Sequence, residues 1–365
     1  MTNESIEEIV EELKKSPTYA MSLGSKELFH SNFWAYLMEN PSYKEFIHSF
    51  FPELDLNLVT KVERENEHRD IVIFAGNKQY VIENKIKSYP DKEQLSRYGE
   101  NSNMVAGVIT GINRPPFDLP TKWKFVSYEE IAKNLKEINC SDEYLSLVVK
   151  NYCKDLDDIN KLLKYMFEET KGKLCYWSDN IKKLVDIRLL DVFRKSKADD
   201  FVLHCLDVVD QIKLDNLIII PGWELQAFNR SFHNCKATID IIIYKKDPSD
   251  KNKWSKTLGV QIEDNQFRLF MKIDGKSKEE IFNLGKQIGW FDKDYNSKTN
   301  RYLFGKPTSM KKNPCSYNSS WLYQYFDIWN DKYEKLYDFQ DYKTLKGFIK
   351  EYIEKAIKII AENNM

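Results

Sequence analysis

The sequence lacks a cysteine framework, a long apolar run and a leader-like start. Its six cysteines are scattered and include no C-x-x-C pair, a usage typical of a reduced interior rather than of a disulfide scaffold. No apolar stretch approaches the roughly 20 residues that span a bilayer. The residues after Met1 are acidic and polar, unlike a secretory signal. We therefore expect a soluble, cytoplasmic protein with no membrane partner.

An excess of charge is also missing. Lysine and arginine number 55 against 56 aspartates and glutamates, so the net charge gives no general attraction to a polyanion. Affinity for nucleic acid would have to come from local patches. The 365 residues are enough for two domains or for one elaborated domain, and they leave the oligomeric state open.

The most informative segment reads as a β-hairpin. Residues 71–74 and 80–82 are β-rich runs, and Gly76-Asn77 between them is typical of a two-residue turn. Such a turn places Asp70 opposite Glu83. Directly opposed residues of an antiparallel pair share a sheet face, with Cβ atoms about 4.5–5.5 Å apart.

Two carboxylates this close repel each other unless a cation lies between them. Mg²⁺ suits such a site, because it accepts one or two carboxylates and leaves its other positions to water and phosphate oxygens. Lys85 lies two residues beyond Glu83 and points to the same face. Its ammonium could hold an attacking water or offset charge on a phosphate in the transition state. The alternative is an ordinary surface hairpin, but unpaired charges beside apolar runs are costly.

The same residues resemble the core of the PD-(D/E)XK nuclease superfamily. The matching strings are R-D-I-V-I at residues 69–73 and V-I-E-N-K at residues 81–85, although Arg69 replaces the usual proline. With the flanking helices the resemblance covers residues 20–127. It implies an α/β fold with a restriction-endonuclease-like core, a mixed central sheet flanked by helices. It also implies a nuclease that uses Mg²⁺, with Mn²⁺ as a substitute, and a metal ligand in the backbone carbonyl of Asn84.

The helix before the hairpin offers further candidates. Ser25 can cap this helix, and Glu27, His30 and Ser31 share one of its faces. The resemblance implies that Glu27 is a metal-linked acid, whereas an acid at this position also simply suits the positive end of the helix dipole. His30 and Ser31 could contact metal, water or phosphate, although a lone histidine is more often structural.

The helix after the hairpin carries Gln94 and Tyr98 on one face, at i and i+4. The resemblance implies that this pair borders the active site and that Tyr98 orients groups or contacts a phosphate. Helix capping, with Asp91 as the cap, is the alternative explanation of Gln94, and we favour the functional one. The hairpin register extrapolates to set His68 opposite Lys85, where His68 could act as an extra ligand or proton acceptor. A solvated strand end is the plainer interpretation of His68.

We expect residues 1–137 to form the nuclease-like core and residues 138–365 to form an α+β accessory region. In the accessory region, Asp240 and Glu263 lie in a pattern similar to the first hairpin, but Asn265 stands where a lysine would be needed. We interpret that pattern as a structural sheet. Residues 290–304 combine aromatic and basic side chains and are the best candidate for an edge that faces nucleic acid.

The coarse secondary structure follows from hydrophobic periodicity. The predicted strands and helices cover residues 4–15 (helix), 58–65, 69–75, 78–86, 105–110 and 124–127 (strands), 128–135, 141–168 and 178–213 (helices), 217–220, 236–244, 257–262 and 267–273 (strands), and 342–362 (helix).

The sequence thus predicts a metal-dependent nuclease that acts on nucleic acid, with DNA as the favoured substrate and a role in restriction, repair or defence. The main alternative is a catalytically silent, nuclease-like module that binds nucleic acid. A structural scaffold whose accessory half binds protein is a third alternative.

Overall fold

The chain forms two compact units. The first comprises Met1–Glu169 with Ser178–Ser196, and the second comprises Thr170–Trp177 with Lys197–Met365. The computed structural model of the chain describes residues 5–22, 26–86, 92–112, 114–115, 118–175, 178–215, 220–231, 237–247, 254–263, 266–291, 309–311, 321–327, 341–363 and 365.

Helices and one sheet alternate in the first unit. Its elements are α1 (Ile6–Lys15), α2 (Pro17–Ser22), α3 (Lys26–Glu39), a 3-10 helix (Pro41–Ser49), β1 (Val59–Asn66), β2 (Arg69–Ala75), β3 (Lys78–Lys85), α4 (Lys92–Gly99), β4 (Met104–Gly111), β5 (Trp123–Ser127), α5 (Tyr128–Glu137), α6 (Glu143–Glu169) and α7 (Asp179–Asp186). The predicted caps Ser25 and Asp91 lie outside the described residues. Helix α6 packs against α5, α1 and α2, so this unit extends past residue 137.

The five strands form one mixed sheet in the order β1-β2-β3-β4-β5. Strands β1, β2 and β3 are antiparallel neighbours, whereas β3, β4 and β5 run parallel. This confirms the predicted α/β class with a mixed central sheet. Helix α4 covers one face, where Leu95 packs with Val72 and Val81 in a buried cluster. Helix α3 contacts β1, β2 and β3 and reaches the opposite face through hydrogen bonds to Asn84 of β3.

The predicted hairpin is confirmed. Ala75 pairs with Lys78 across a two-residue turn, and the register continues to Ile71 and Ile82. Gly76 has a φ of 61°, which glycine adopts without the penalty that a Cβ imposes. The tight turn therefore fixes which side chains of β2 and β3 share a face.

The second unit contains an antiparallel sheet in the order β10-β11-β9-β8-β7-β6. Its elements are β6 (Trp223–Ser231), β7 (Ala237–Lys246), β8 (Trp254–Glu263), β9 (Gln266–Ile273), α9 (Lys278–Gln287), β10 (Ser309–Lys311), β11 (Trp321–Asp327) and α10 (Tyr342–Glu362), while α8 (Leu190–Asp215) runs from the first unit into the second. The final helix has the predicted bounds. Strands β6 and β11 and helix α9 were not predicted.

The prediction of a single helix over residues 178–213 is wrong. This segment forms two helices, α7 and α8, separated where Arg188 adopts a left-handed φ of 54°. The amide N–H of Leu189 donates to the carbonyl oxygen of Leu184 at 2.9 Å, which ends α7 and redirects the chain. The strand predicted at residues 217–220 falls almost wholly outside the described residues, and Ile220 itself is not in a strand.

The acidic pattern of the second sheet forms internal pairs. Gln261 Nε2 donates to Asp240 Oδ1 at 2.7 Å, and Arg268 Nη1 donates to Gln261 Oε1 and to Glu263 Oε2, each at 2.8 Å. These contacts fit the structural interpretation of that pattern. Of the segment 290–304, only residues 290 and 291 are described, and both are buried.

Within the described ranges, no helix combines the length and apolar content that a bilayer crossing needs.

Gly107 of β4 gives a test of this fold. A Cβ there would lie 2.5 Å from the Trp123 ring and 2.7 Å from Met104, so we expect Gly107→Ala to destabilise the protein by about 1–3 kcal/mol. Gly99→Ala is the matched control, because nothing lies within 4 Å of its Cβ. Urea unfolding measures both variants. Equal midpoints would contradict the packing of β4 against β5.

Candidate functional site

The candidate site lies where β2 begins and β3 ends, on the face that α4 covers. The hairpin register, continued by one step from Ile71 and Ile82, places Asp70 opposite Glu83. The backbone N–H of Asn84 donates to Asp70 Oδ2 at 2.7 Å, so this carboxylate is held at the end of β3. The structure therefore brings Asp70, Glu83 and Lys85 together as the sequence predicted.

The two oxygens of Glu83 have different environments. Oε1 contacts Lys85 Nζ at 2.7 Å and, more weakly, Gln94 Nε2 at 3.5 Å. Oε2 is buried and has no hydrogen-bond partner among the described residues. The residue as a whole is only 2% exposed. A buried carboxylate oxygen without a donor carries a desolvation cost that a bound cation would relieve.

Burial controls the ionisation of both acids. It raises the pKa of Glu83 to about 7, with repulsion from Asp70 acting in the same direction and Lys85 opposing it. Burial also raises the pKa of Asp70, which the hydrogen bond from Asn84 and the charge of Lys85 partly offset. Near neutral pH Glu83 is therefore poised between its neutral and charged forms.

Lys85 is held in its charged form. Burial acts to lower the pKa of its ammonium, but the carboxylates of Glu83, Asp70 and Glu27 together outweigh burial and raise it. The side chain of Lys85 keeps 21% of its surface exposed, compared with 2% for Glu83. A fixed positive charge thus stands beside the acids and retains access to solvent.

Helix α4 brings Gln94 and Tyr98 to the same site. Gln94 Nε2 donates to the Tyr98 hydroxyl at 2.7 Å, and the Tyr98 hydroxyl donates to the carbonyl oxygen of His68 at 2.8 Å. Through Gln94 this chain of contacts reaches Glu83. Gln94 thus lies beside Glu83 and Tyr98 beside the β1–β2 turn, and their place at an active site stays a prediction.

His68 does not pair with Lys85, so this extrapolation of the register was wrong. Asn66 pairs with Arg69, and Glu67 and His68 form the two-residue turn between β1 and β2. Both have positive φ, 50° and 66°, in a conformation that favours Asn-Gly. The chain turns back before it reaches Lys85, and Tyr98 holds the backbone of His68.

Arg69, the first residue of β2, is almost fully buried at 4% exposure. Its guanidinium forms an ion pair with Glu67, donates to Gln79 Oε1 at 2.9 Å and lies 5.9 Å from the centre of the Tyr98 ring. This residue therefore supports the β1–β2 turn and the position of Tyr98.

The side chain of Asn84 points to the opposite face of the sheet. Its Nδ2 donates to the carbonyl oxygen of Glu27 at 2.9 Å and to Ser31 Oγ at 3.2 Å. Its Oδ1 accepts from Thr110 Oγ1 at 3.0 Å and from the Tyr128 hydroxyl. Ser31 is thus tied to Asn84, and its hydroxyl also donates to the carbonyl oxygen of Glu27 at 3.1 Å.

Glu27 lies at the start of α3 and acts on the site through its charge. Its carboxylate contributes to the raised pKa of both Asp70 and Lys85. Glu27 is therefore placed to add negative charge near Asp70 and Lys85, and its role as a metal-linked acid stays a prediction.

His30 has an interior partner. Its Nδ1 lies 2.8 Å from the Tyr152 hydroxyl, which also accepts from Trp34 Nε1 at 2.7 Å. Burial lowers the pKa of His30 to about 3, so the ring is neutral near pH 7. The ring is 2% exposed and belongs to the aromatic core around α3.

Thr110 and Tyr128 were missed as site-related residues. Residues 27 and 31 share a helix face, but no spacing rule links them to residues 84, 110 and 128. These residues meet only because α3, β3, β4 and α5 pack together. Their residue types gave no separate signal, since threonine and tyrosine are common in strands and at helix starts.

No group of three or more histidine, cysteine, aspartate or glutamate side chains with metal-binding geometry occurs in the described part of the chain. Mg²⁺ needs only one or two carboxylates, together with carbonyl and water oxygens. Comparisons of the chain with protein-family models, curated proteins and solved structures find no match.

The raised pKa of Glu83 has a measurable consequence for stability. A carboxyl whose pKa rises from 4.5 to about 7 on folding binds its proton more tightly in the folded state. Its stabilising effect is complete below about pH 4.5 and is lost as the pH rises through about 7, a loss on the order of 3 kcal/mol. We expect metal-free Glu83→Gln to lack this decline, as measured by urea unfolding at pH 5 and pH 8.

Glu280→Gln serves as the control for this measurement, because Glu280 is exposed on α9 and its pKa is lowered by hydrogen bonds from Ser277. It should keep the wild-type decline in unfolding free energy between the two pH values. A Glu83→Gln protein with the same decline as wild type would show that Glu83 ionises normally.

Proposed function

We propose that this protein is a metal-dependent nuclease that hydrolyses phosphodiester bonds in nucleic acid, with DNA as the favoured substrate. The observation that carries the proposal is Glu83 Oε2, a buried carboxylate oxygen without a donor among the described residues, beside Asp70 and the charged Lys85. Buried acids next to a lysine match what a divalent cation and a scissile phosphate require.

The residues present fit a divalent metal ion. Asp70 and Glu83 would bind Mg²⁺, or Mn²⁺ as a substitute, with the backbone carbonyl of Asn84 and the carboxylate of Glu27 as further ligands. When bound, the metal supplies Lewis-acid activation of water and of the phosphate. Since burial raises the pKa of both Asp70 and Glu83, a cation would favour their charged forms.

Lys85 would position the attacking water or offset negative charge on the phosphate. Its contact with Glu83 fixes the ammonium, and its partial exposure leaves it open to substrate. Gln94 would orient Glu83 through its amide. Tyr98 would hold the β1–β2 turn, which borders the site.

The mixed sheet with helices on both faces supports a restriction-endonuclease-like core, which the sequence assigns to residues 1–137. The compact unit that contains this core continues to Glu169 and includes Ser178–Ser196, so the accessory region is the second unit. The resemblance in residues 69–73 and 81–85 points the same way. Restriction, repair and defence are the roles that we propose from that resemblance.

A catalytically silent module that binds nucleic acid is the second candidate. It is favoured by the ion pair between Lys85 and Glu83, which offsets one buried charge without a cation. In that case Lys85 would serve the stability of the site rather than a reaction.

A cleavage assay tests the first candidate. Wild type is incubated with plasmid and with single-stranded DNA, with and without Mg²⁺ or Mn²⁺. We expect metal-dependent cutting that falls by at least about 100-fold in Asp70→Ala and Lys85→Ala, because each variant removes a charge that acts in the transition state. The matched control is Lys164→Ala, which removes an exposed lysine paired with a glutamate on the surface of α5 and α6.

Three outcomes separate the candidates. Loss of cutting in Asp70→Ala and Lys85→Ala but not in Lys164→Ala supports the nuclease. Equal cutting by all variants would show that the site is assigned wrongly. Binding of DNA with no cutting by wild type under any condition would favour the silent module.

Metal binding also has a signature in stability. A ligand that binds only the folded state stabilises it by about 2.7 kcal/mol at 100 times its dissociation constant. We expect Mg²⁺ at saturation to raise the free energy of unfolding of wild type by an amount of this order, measured by urea unfolding at pH 8. Asp70→Asn should lose most of the gain, whereas Lys164→Ala should keep it. An equal gain in Asp70→Asn would place the metal elsewhere.

A further inference from the structure

Asn84 uses every hydrogen-bonding position of its side chain. A side-chain amide has two donor hydrogens and an oxygen that accepts twice. Nδ2 donates to Glu27 O and Ser31 Oγ, and Oδ1 accepts from Thr110 and Tyr128. The residue is 1% exposed, so these four contacts are made in the interior.

The partners of Asn84 come from three separate elements. Glu27 and Ser31 belong to α3, Thr110 to β4 and Tyr128 to the first turn of α5. Thr110 and Tyr128 are themselves 0% and 1% exposed. An apolar residue at position 84 would leave the hydroxyls of Thr110 and Tyr128 without this acceptor, which is costly in the interior.

The backbone of Asn84 acts on the other face of the sheet. Its N–H donates to Asp70 Oδ2 at 2.7 Å, and its neighbours in sequence are Glu83 and Lys85. A single residue therefore joins the interior network behind the sheet to the acids in front of it. A shift of its side chain would move the donor that holds Asp70 and the strand end that carries Glu83 and Lys85.

We propose that Asn84 is a positioning residue, whose side chain anchors β3 to α3, β4 and α5 so that its backbone holds Asp70 and Glu83 in a metal-binding arrangement. The proposal rests on the proposed function and extends it to residues that do not touch substrate. Tyr128 and Thr110 act through Asn84. The same anchor fixes Glu27, because Asn84 Nδ2 binds the backbone of that residue.

The experiment uses Tyr128→Phe, because substitution of Asn84 itself could prevent folding. This variant keeps the ring and removes only the hydroxyl that donates to Asn84 Oδ1. The matched control is Tyr19→Phe. Tyr19 is 3% exposed, and its hydroxyl donates to the carbonyl oxygen of Ile187, away from β3.

Two measurements are made on the full-length protein. Mn²⁺ binding is followed by electron paramagnetic resonance, and kcat and KM for plasmid DNA are determined at saturating Mg²⁺. We expect Tyr128→Phe to bind Mn²⁺ about 10-fold more weakly, the lower end for loss of a residue that orients metal ligands. Its kcat should fall while KM for DNA stays at the wild-type value. Thr110→Val removes the other donor to Asn84 Oδ1, so it should also weaken Mn²⁺ binding and lower kcat.

The outcomes distinguish this inference from the proposed function. A weaker Mn²⁺ affinity in Tyr128→Phe with wild-type affinity in Tyr19→Phe supports the positioning role. If wild type binds Mn²⁺ and cuts DNA but Tyr128→Phe and Tyr19→Phe have the same Mn²⁺ affinity and kcat, the positioning role is overturned. The proposed nuclease activity then still stands. If wild type binds no Mn²⁺, both proposals are overturned together.

Discussion

The burial of the Glu83 carboxylate next to Asp70 is the constraint around which the first unit is organised. One oxygen of Glu83 faces Lys85, and the other has no donor among the described residues. Such an arrangement costs free energy in the absence of a cation. Neighbouring groups reduce that cost only in part, through the charge of Lys85, the backbone N–H of Asp70 and the amide of Gln94. This retained cost is the physical support for the metal site that we propose.

Strand β3 carries the charged side chains of the candidate site on one face and the hydrogen-bonded side chain of Asn84 on the other. Glu83 and Lys85 face α4, whereas Asn84 between them faces α3 and α5. The alternation of side chains along a strand produces this division without any additional element. Ion-pair and amide contacts join the charged side chains on one face, and the amide of Asn84 is fully hydrogen-bonded on the other. In the positioning role that we propose, the uncharged face holds the charged one in place.

The second sheet contains a similar pair of acids, Asp240 and Glu263, without a lysine at the corresponding position. Asp240 is paired with Gln261, and Glu263 with Arg268, in contacts between neighbouring strands. Here the donors to Asp240 Oδ1 and Glu263 Oε2 belong to the sheet itself. In the first hairpin the nearest cation is Lys85 on the same strand, and one carboxylate oxygen remains without a donor in the described structure.

The sequence by itself determined the hairpin, because Gly76-Asn77 favours a two-residue turn and the period of two then assigns Asp70, Glu83 and Lys85 to one face. It also determined most of the strands of the first unit and the final helix, since their periodicity is local. Tertiary structure decided the Asn84 network, the turn at Glu67-His68 that takes His68 away from Lys85, and the break between α7 and α8. These features depend on contacts between residues far apart in the chain or on backbone conformations that side-chain patterns do not encode.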